Sequence, residues 1–198
     1  IVVRPQRHFS GSLASTSTSD LYPEHWVALN ELSDRIDISD ITFVVPMSYD
    51  HPDRLENLEL MMGLLNENFR AKFSFIEQGG RRLGSFTPWR FFEGKYFHRT
   101  KMLNDAIRDV KTPFAANYDS DVALPPAQIL EAVEKLRNGS DIVYPYTGDF
   151  WHLTRNQSYE NLKKHRDVGI FSSMSFRKTE HSKGGAIFLN VKSFFKTG

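Results

Sequence analysis

The spacing of apolar positions changes several times along the chain, and each change marks a predicted element. From Asp40 the run Asp-Ile-Thr-Phe-Val-Val-Pro is compact, apolar and rich in β-branched residues, which predicts a buried parallel strand ended by Pro46. Pro52 and Asp53 then open a helix whose Leu55, Leu58, Leu60, Met61, Leu64 and Leu65 keep helical spacing until Asn66 to Asn68. A strand at Ala71 to Glu77 follows, closed by Gln78-Gly79-Gly80, and strand, helix, strand in that order predicts a right-handed crossover. Gly84 to Gly94 carries aromatics without a period and reads as a loop that contacts ligand. Met102, Leu103, Ala106, Ile107 and Val110 predict a helix over 99–110, stopped by Thr112-Pro113, and Phe114 to Tyr118 reads as the next strand. Pro125-Pro126 starts a helix to Leu136 that Asn138-Gly139 ends, Asp141 to Tyr146 reads as a strand, and Ser158 to Asp167 as a polar helix. Gly184-Gly185 precedes a last strand, Ala186 to Leu189. Alternating strands and helices make this an α/β chain with a mainly parallel sheet flanked by helices.

Upstream of this series the pattern is different. Phe9 to Asp20 is rich in Ser, Thr and Gly and reads as a flexible linker, and Trp26, Leu29 and Leu32 predict a short helix over 23–33. The expected division is therefore a linker and short helix over 1–39 and one globular domain over 40–198. The chain opens on Ile1 and stops at Gly198 directly after an amphipathic stretch, which reads as a segment of a longer protein. At 198 residues and 40% hydrophobic content it can bury one sizeable core. A formal charge of +1 gives no pull toward nucleic acid, and no apolar run approaches the roughly 20 residues that a membrane helix needs. Cysteine is absent, which removes disulfides and thiolate metal sites and points to a reducing, cytoplasmic location, with attachment to a membrane left open.

The segment that carries chemistry is Phe114-Ala-Ala-Asn-Tyr-Asp119-Ser120-Asp121-Val-Ala-Leu-Pro-Pro126. Alternate residues of a strand point the same way, so Asp119 and Asp121 are expected to converge at the carboxyl end of the sheet, where open α/β sheets bind their ligands. Two hard carboxylates there suit Mn²⁺ or Mg²⁺, which keeps positions open for water and phosphate oxygens. A plainer reading is that the two acids end a strand and cap the helix at Pro125. The position of the pair, after a buried strand and before a Pro-started helix, favours the metal.

In this order the elements resemble the GT-A glycosyltransferases, in particular family 2 and galactosyltransferase-like enzymes. Val44-Val45-Pro46 followed by Asp53-Arg54-Leu55 is similar to the family's first strand and the nucleotide-binding pattern after it. Phe75-Ile76-Glu77 is similar to the second strand, which ends in an acid near the base, although Gln78-Gly79-Gly80 departs from the usual Asp-rich end. Lys101-Met-Leu-Asn104-Asp-Ala106 resembles the helix before the acidic motif, Asp119-Ser120-Asp121 resembles the motif itself, and Gly184-Gly185-Ala186-Ile187-Phe188 with Phe194-Phe195 resembles the acceptor-side segment. The resemblance spans about 40 to 198.

It implies transfer, with inversion, of a sugar from a nucleoside-diphosphate donor, UDP-sugar favoured, to a glycan hydroxyl, as in polysaccharide biosynthesis. Donor contacts would come from Pro46, Ser48, Arg54, Glu77, Arg99, Lys101, Asn104 and Asp119, and the metal from Asp119 and Asp121. Trp151, His152, Gly184 and Gly185 would face the acceptor, while His98 reads as structural. An inverting enzyme needs a general base near the acceptor hydroxyl. Asp149 is the internal candidate, and in the resembled family the base lies beyond the Gly-Gly segment. A nucleotidyltransferase also groups acids around a metal on an α/β sheet, but it wants a Gly-rich loop where Met47-Ser-Tyr-Asp-His51 stands. A sugar- or partner-binding domain without catalysis is the third reading.

Overall fold

The computed structural model describes residues 2–3, 35–48, 52–79, 89–93, 97–148, 150–153, 159–171, 177–181 and 184–196. The linker and helix expected within 4–34 lie outside them, as does Asp149. The central element is β2 (Ile36–Ser48), followed by α1 (Pro52–Asn68), β3 (Phe69–Gly79), β4 (Trp89–Glu93), α2 (Arg99–Asp109) and β5 (Phe114–Tyr118). After these come β6 (Val122–Ala123), α3 (Pro126–Arg137), β7 (Ile142–Val143), β8 (Phe150–His152), α4 (Glu160–His165), β9 (Arg177–Thr179), β10 (Ala186–Asn190) and α5 (Val191–Phe194). A six-stranded sheet has the order β4-β3-β2-β5-β10-β7. Its first four strands are mutually parallel, whereas β10 runs antiparallel to both β5 and β7. The chain is thus α/β, with a mixed and mainly parallel sheet between helices.

Strand parity decides what each face buries. Ile41, Phe43, Val45 and Met47 of β2 join Ala116 and Tyr118 of β5 in one core, closed over by Leu58, Met61 and Leu65 of α1 and by Ile129, Ala132, Val133 and Leu136 of α3. Phe43 anchors it, edge-on to Tyr118 at 5.4 Å and to Phe188 at 5.9 Å. The intervening residues, Val44 and Ala115, face the other way and meet Met102, Leu103, Ala106 and Ile107 of α2. Helices therefore cover both faces, which is why β2 and β5 read as nearly unbroken apolar runs. A third cluster, with Leu60 and Leu64 of α1 against Tyr159, Leu162 and Ala123, explains why α1 is apolar on more than one side.

Several predicted boundaries move. Pro46 does not end β2, which runs on to Ser48. Pairing with β5 is recorded only as far as Val44↔Asn117, so Pro46 sits just beyond the ladder on that side, where its missing N–H leaves no partner short. The segment expected to be a loop contains β4, whose strand form comes from pairing with β3 (Phe75↔Trp89 to Gly79↔Glu93) and not from any period of its own. The strand expected at Asp141 to Tyr146 shrinks to β7, because Pro145 cannot donate to a ladder. A second sheet, β6-β1-β8-β9, is completed by Val2–Val3 (β1), which pairs with Val122–Ala123 on one side and Trp151–His152 on the other.

Candidate functional site

From β2 the chain steps to β3 and β4 on one side, then crosses back through α2 to lay β5 on the other side. Strand order therefore reverses between β2 and β5, and the crevice outside their carboxyl ends is where an open α/β sheet takes ligands. Ser48 ends β2 at this crevice and Tyr118 ends β5, directly before Asp119.

The two acids do not sit as alternate residues of a strand, contrary to the expectation from sequence. β5 stops at Tyr118, and Asp119 to Val122 form a tight turn closed by Val122 N–H donating to the Asp119 carbonyl at 3.2 Å. The Asp119 N–H donates to the Gly185 carbonyl at 2.7 Å, directly opposite in the register that pairs Tyr118 with Ala186, so contact with the β10 side carries on one residue past β5 before the turn. Gly185 has φ +90°, a conformation that favours glycine, whereas Gly184 has open space around its Cα. Of the two glycines only Gly185 is demanded by the backbone. The Gly184 carbonyl accepts from the Tyr146 hydroxyl at 2.5 Å, which fixes the segment against the strand end. Ser120 is buried at the turn, and both acids remain partly exposed.

Parity places 115, 117 and 119 on the α2 face, and α2 supplies a cation there. Arg99, its first residue, donates from Nη2 to Asp119 Oδ1 and to Asn117 Oδ1 at 3.3 Å. The helix start is held in turn by the backbone N–H of the exposed His98, which donates to Gln78 Oε1 at 2.7 Å. Lys101 is not brought to the acids. It donates to Asp105 Oδ2 at 2.6 Å and lies 5.3 Å from the centre of the Phe92 ring, and that bond first, then the charges of Lys101 and Arg108, holds the Asp105 carboxyl below its ordinary range. Asn104 is half-buried on the same helix.

Glu77 lies two residues inside the end of β3 and is 1% exposed, so the acid expected at the strand end is a covered one. Arg54 is exposed on α1. Trp151 packs onto the cluster of Ala123, Tyr159 and Leu162, and His152 Nε2 is 2.8 Å from Thr179 Oγ1. Both stand on β8, one strand removed from β6, which follows Asp121. Among the described residues no three or more His, Asp or Glu gather in a group that could hold a metal ion. The Arg99 bridge and the buried Asn117 were missed from sequence; the signal was the parity of 117 with 119.

No protein-family model and no curated protein matches the chain. Among solved structures it is similar to glucosyl-3-phosphoglycerate synthase from Mycobacterium tuberculosis, in complex with uridine diphosphate, at 12% identity and a TM-score of 0.40. The match covers 96% of this chain, which spans 65% of the length of that one. So distant a likeness assigns no activity. No helix among the described residues is long and apolar enough to cross a membrane.

Proposed function

We propose that this chain binds a nucleoside-diphosphate sugar, UDP-sugar favoured, across the crevice between β2 and β5 and transfers the sugar to a glycan hydroxyl. The observation that carries this reading is the Asp119–Val122 turn, which holds two partly exposed carboxylates where the strand order reverses. The donor set fits Mn²⁺ or Mg²⁺. It is all hard oxygen, it comes from only two side chains, and such ions keep several positions for water and phosphate. Asp119 and Asp121 would hold the ion, which when bound supplies Lewis-acid stabilisation of the departing diphosphate. The crevice offers Ser48 from β2 and the Arg99 guanidinium from α2, and a guanidinium matches phosphate oxygens with two parallel donors. Gly184 and Gly185, bonded to Tyr146 and Asp119, form the wall on the β10 side, where an acceptor would enter.

The test is UDP release from a panel of UDP-sugars with Mn²⁺, for the chain and for Asp121→Asn. No hydrogen bond or ion pair ties Asp121 to another described residue, so the variant should fold normally. Its metal-dependent release should fall by about 10²-fold, the scale of removing one electrostatic stabiliser. Release unchanged in Asp121→Asn would reject the reading.

A further inference from the structure

β3 is longer than the strand on its outer side. β4 pairs only with Phe75 to Gly79, so among the described residues no strand covers the outer edge of β3 from Phe69 to Ser74, while the inner edge is paired with β2. A parallel ladder turns alternate peptide groups to each side, so part of the N–H and carbonyl groups of this stretch face outward with no strand to meet them. Along the edge lies a cavity of about 680 Å³, walled by the last turns of α1 and by the residues that follow α2. That volume falls within the roughly 300–1,000 Å³ of a ligand pocket.

The two sides of the cavity differ in chemistry. Strand parity puts Ala71 and Phe73 on the α1 face, where they pack onto the core and, with Met62, leave a half-buried apolar floor. Lys72 and Ser74 fall on the other face together with Ile76, which packs under α2. That helix stops at Asp109, and Lys111 follows it at the cavity wall. Arg90 is neutralised there by Asp109, but no ion pair ties Lys72 or Lys111 to a described residue, and both are exposed. The α2 side thus carries two uncompensated positive charges.

We propose that the free edge of β3 takes up an extended segment of another polypeptide as an added strand, and that this segment alternates apolar and acidic residues. Successive side chains of a strand point to opposite faces, so its apolar side chains would lie over Phe73 and Met62 and its carboxylates over Lys72 and Lys111. Main-chain hydrogen bonds to β3 supply the attachment and the alternation supplies the selectivity. Lysine at an open edge deters apolar and basic strands, and admits an acidic one. The free stretch is the amino-terminal half of β3, whereas the crevice lies at the carboxyl ends of the strands, so a segment seated here leaves the crevice open.

The test titrates a capped hexapeptide alternating valine and glutamate into the isotope-labelled chain by NMR, beside a control with the same residues in two blocks, three valines and then three glutamates. The alternating peptide should shift the amide signals of Arg70 to Ser74 and slow hydrogen exchange among them, and the block peptide should bind at least roughly tenfold more weakly. Joint substitution of Lys72→Glu and Lys111→Glu, both exposed, keeps the fold by circular dichroism and should weaken the alternating peptide roughly tenfold, the scale of losing two exposed ion pairs. Equal affinity for the block peptide would reduce the contact to charge attraction and overturn the added strand. Absence of binding, binding untouched by the double substitution, or shifts confined to residues outside Arg70 to Ser74 would overturn it as well.

Discussion

Arg99 and Lys101 stand two residues apart on one helix, and helical geometry alone sends them to different places. Positions two apart do not share a helix face, so Arg99 reaches β5 while Lys101 turns toward Phe92 and Asp105. Sequence shows two cations before an acidic motif and cannot say which one meets it; the choice is made by packing of Met102, Leu103 and Ala106 on the sheet. The Lys101 bond has its own consequence in acid. The Asp105 carboxyl titrates below its ordinary value in the folded chain, so it favours folding at pH values above that ordinary value, and the contribution is lost as pH falls through the lowered one. Lys101→Met should raise the Asp105 carboxyl toward the ordinary range and bring the acid loss of stability to higher pH. Carboxyl-carbon NMR titration between about pH 5 and pH 2 reads this directly. An Asp105 midpoint unmoved by the substitution would contradict it.

At the scale of elements, the register of β2 against β5 is supported by a buried pair of hydroxyls. Thr112 Oγ1 donates to the Phe114 carbonyl at 2.8 Å, so its one proton is committed, and the 2.7 Å contact with Thr42 Oγ1 must be a bond donated by Thr42. Both residues are buried. Thr112→Val should cost about 1–3 kcal/mol, because it strands the Thr42 hydroxyl away from water. Adding Thr42→Val removes the stranded group, and the double variant should be less destabilised than Thr112→Val alone. Chemical denaturation of all four chains checks this, and strict additivity would contradict it. The uniformly apolar or helical-period segments, β2, α1, α2, β5 and α3, were legible because their burial is written into adjacent residues. Strands without such a pattern were not. β4 and the β6-β1-β8-β9 sheet exist through partners far along the chain, and their few residues of mixed character carry too little pattern to announce them.

For the molecule as a whole, the order of strands explains why the acids matter. The reversal between β2 and β5 opens a crevice at one edge, and the turn after β5 delivers Asp119 and Asp121 to it. The acids, the glycines and the α/β alternation could all be read from sequence. Their geometry could not, since Asp119 is held across the sheet by the carbonyl of Gly185, far along the chain, and the turn after it is closed by its own backbone. The central claim is that these two carboxylates hold a cation against a diphosphate. The most direct measurement is the melting temperature with UDP, in Mn²⁺ and in EDTA, for the chain and for Asp121→Asn. The account predicts a rise with UDP and Mn²⁺ together, of the size that ligand linkage gives, little rise in EDTA, and no metal-dependent rise in Asp121→Asn. Equal rises with and without metal, or a full rise in Asp121→Asn, would contradict it.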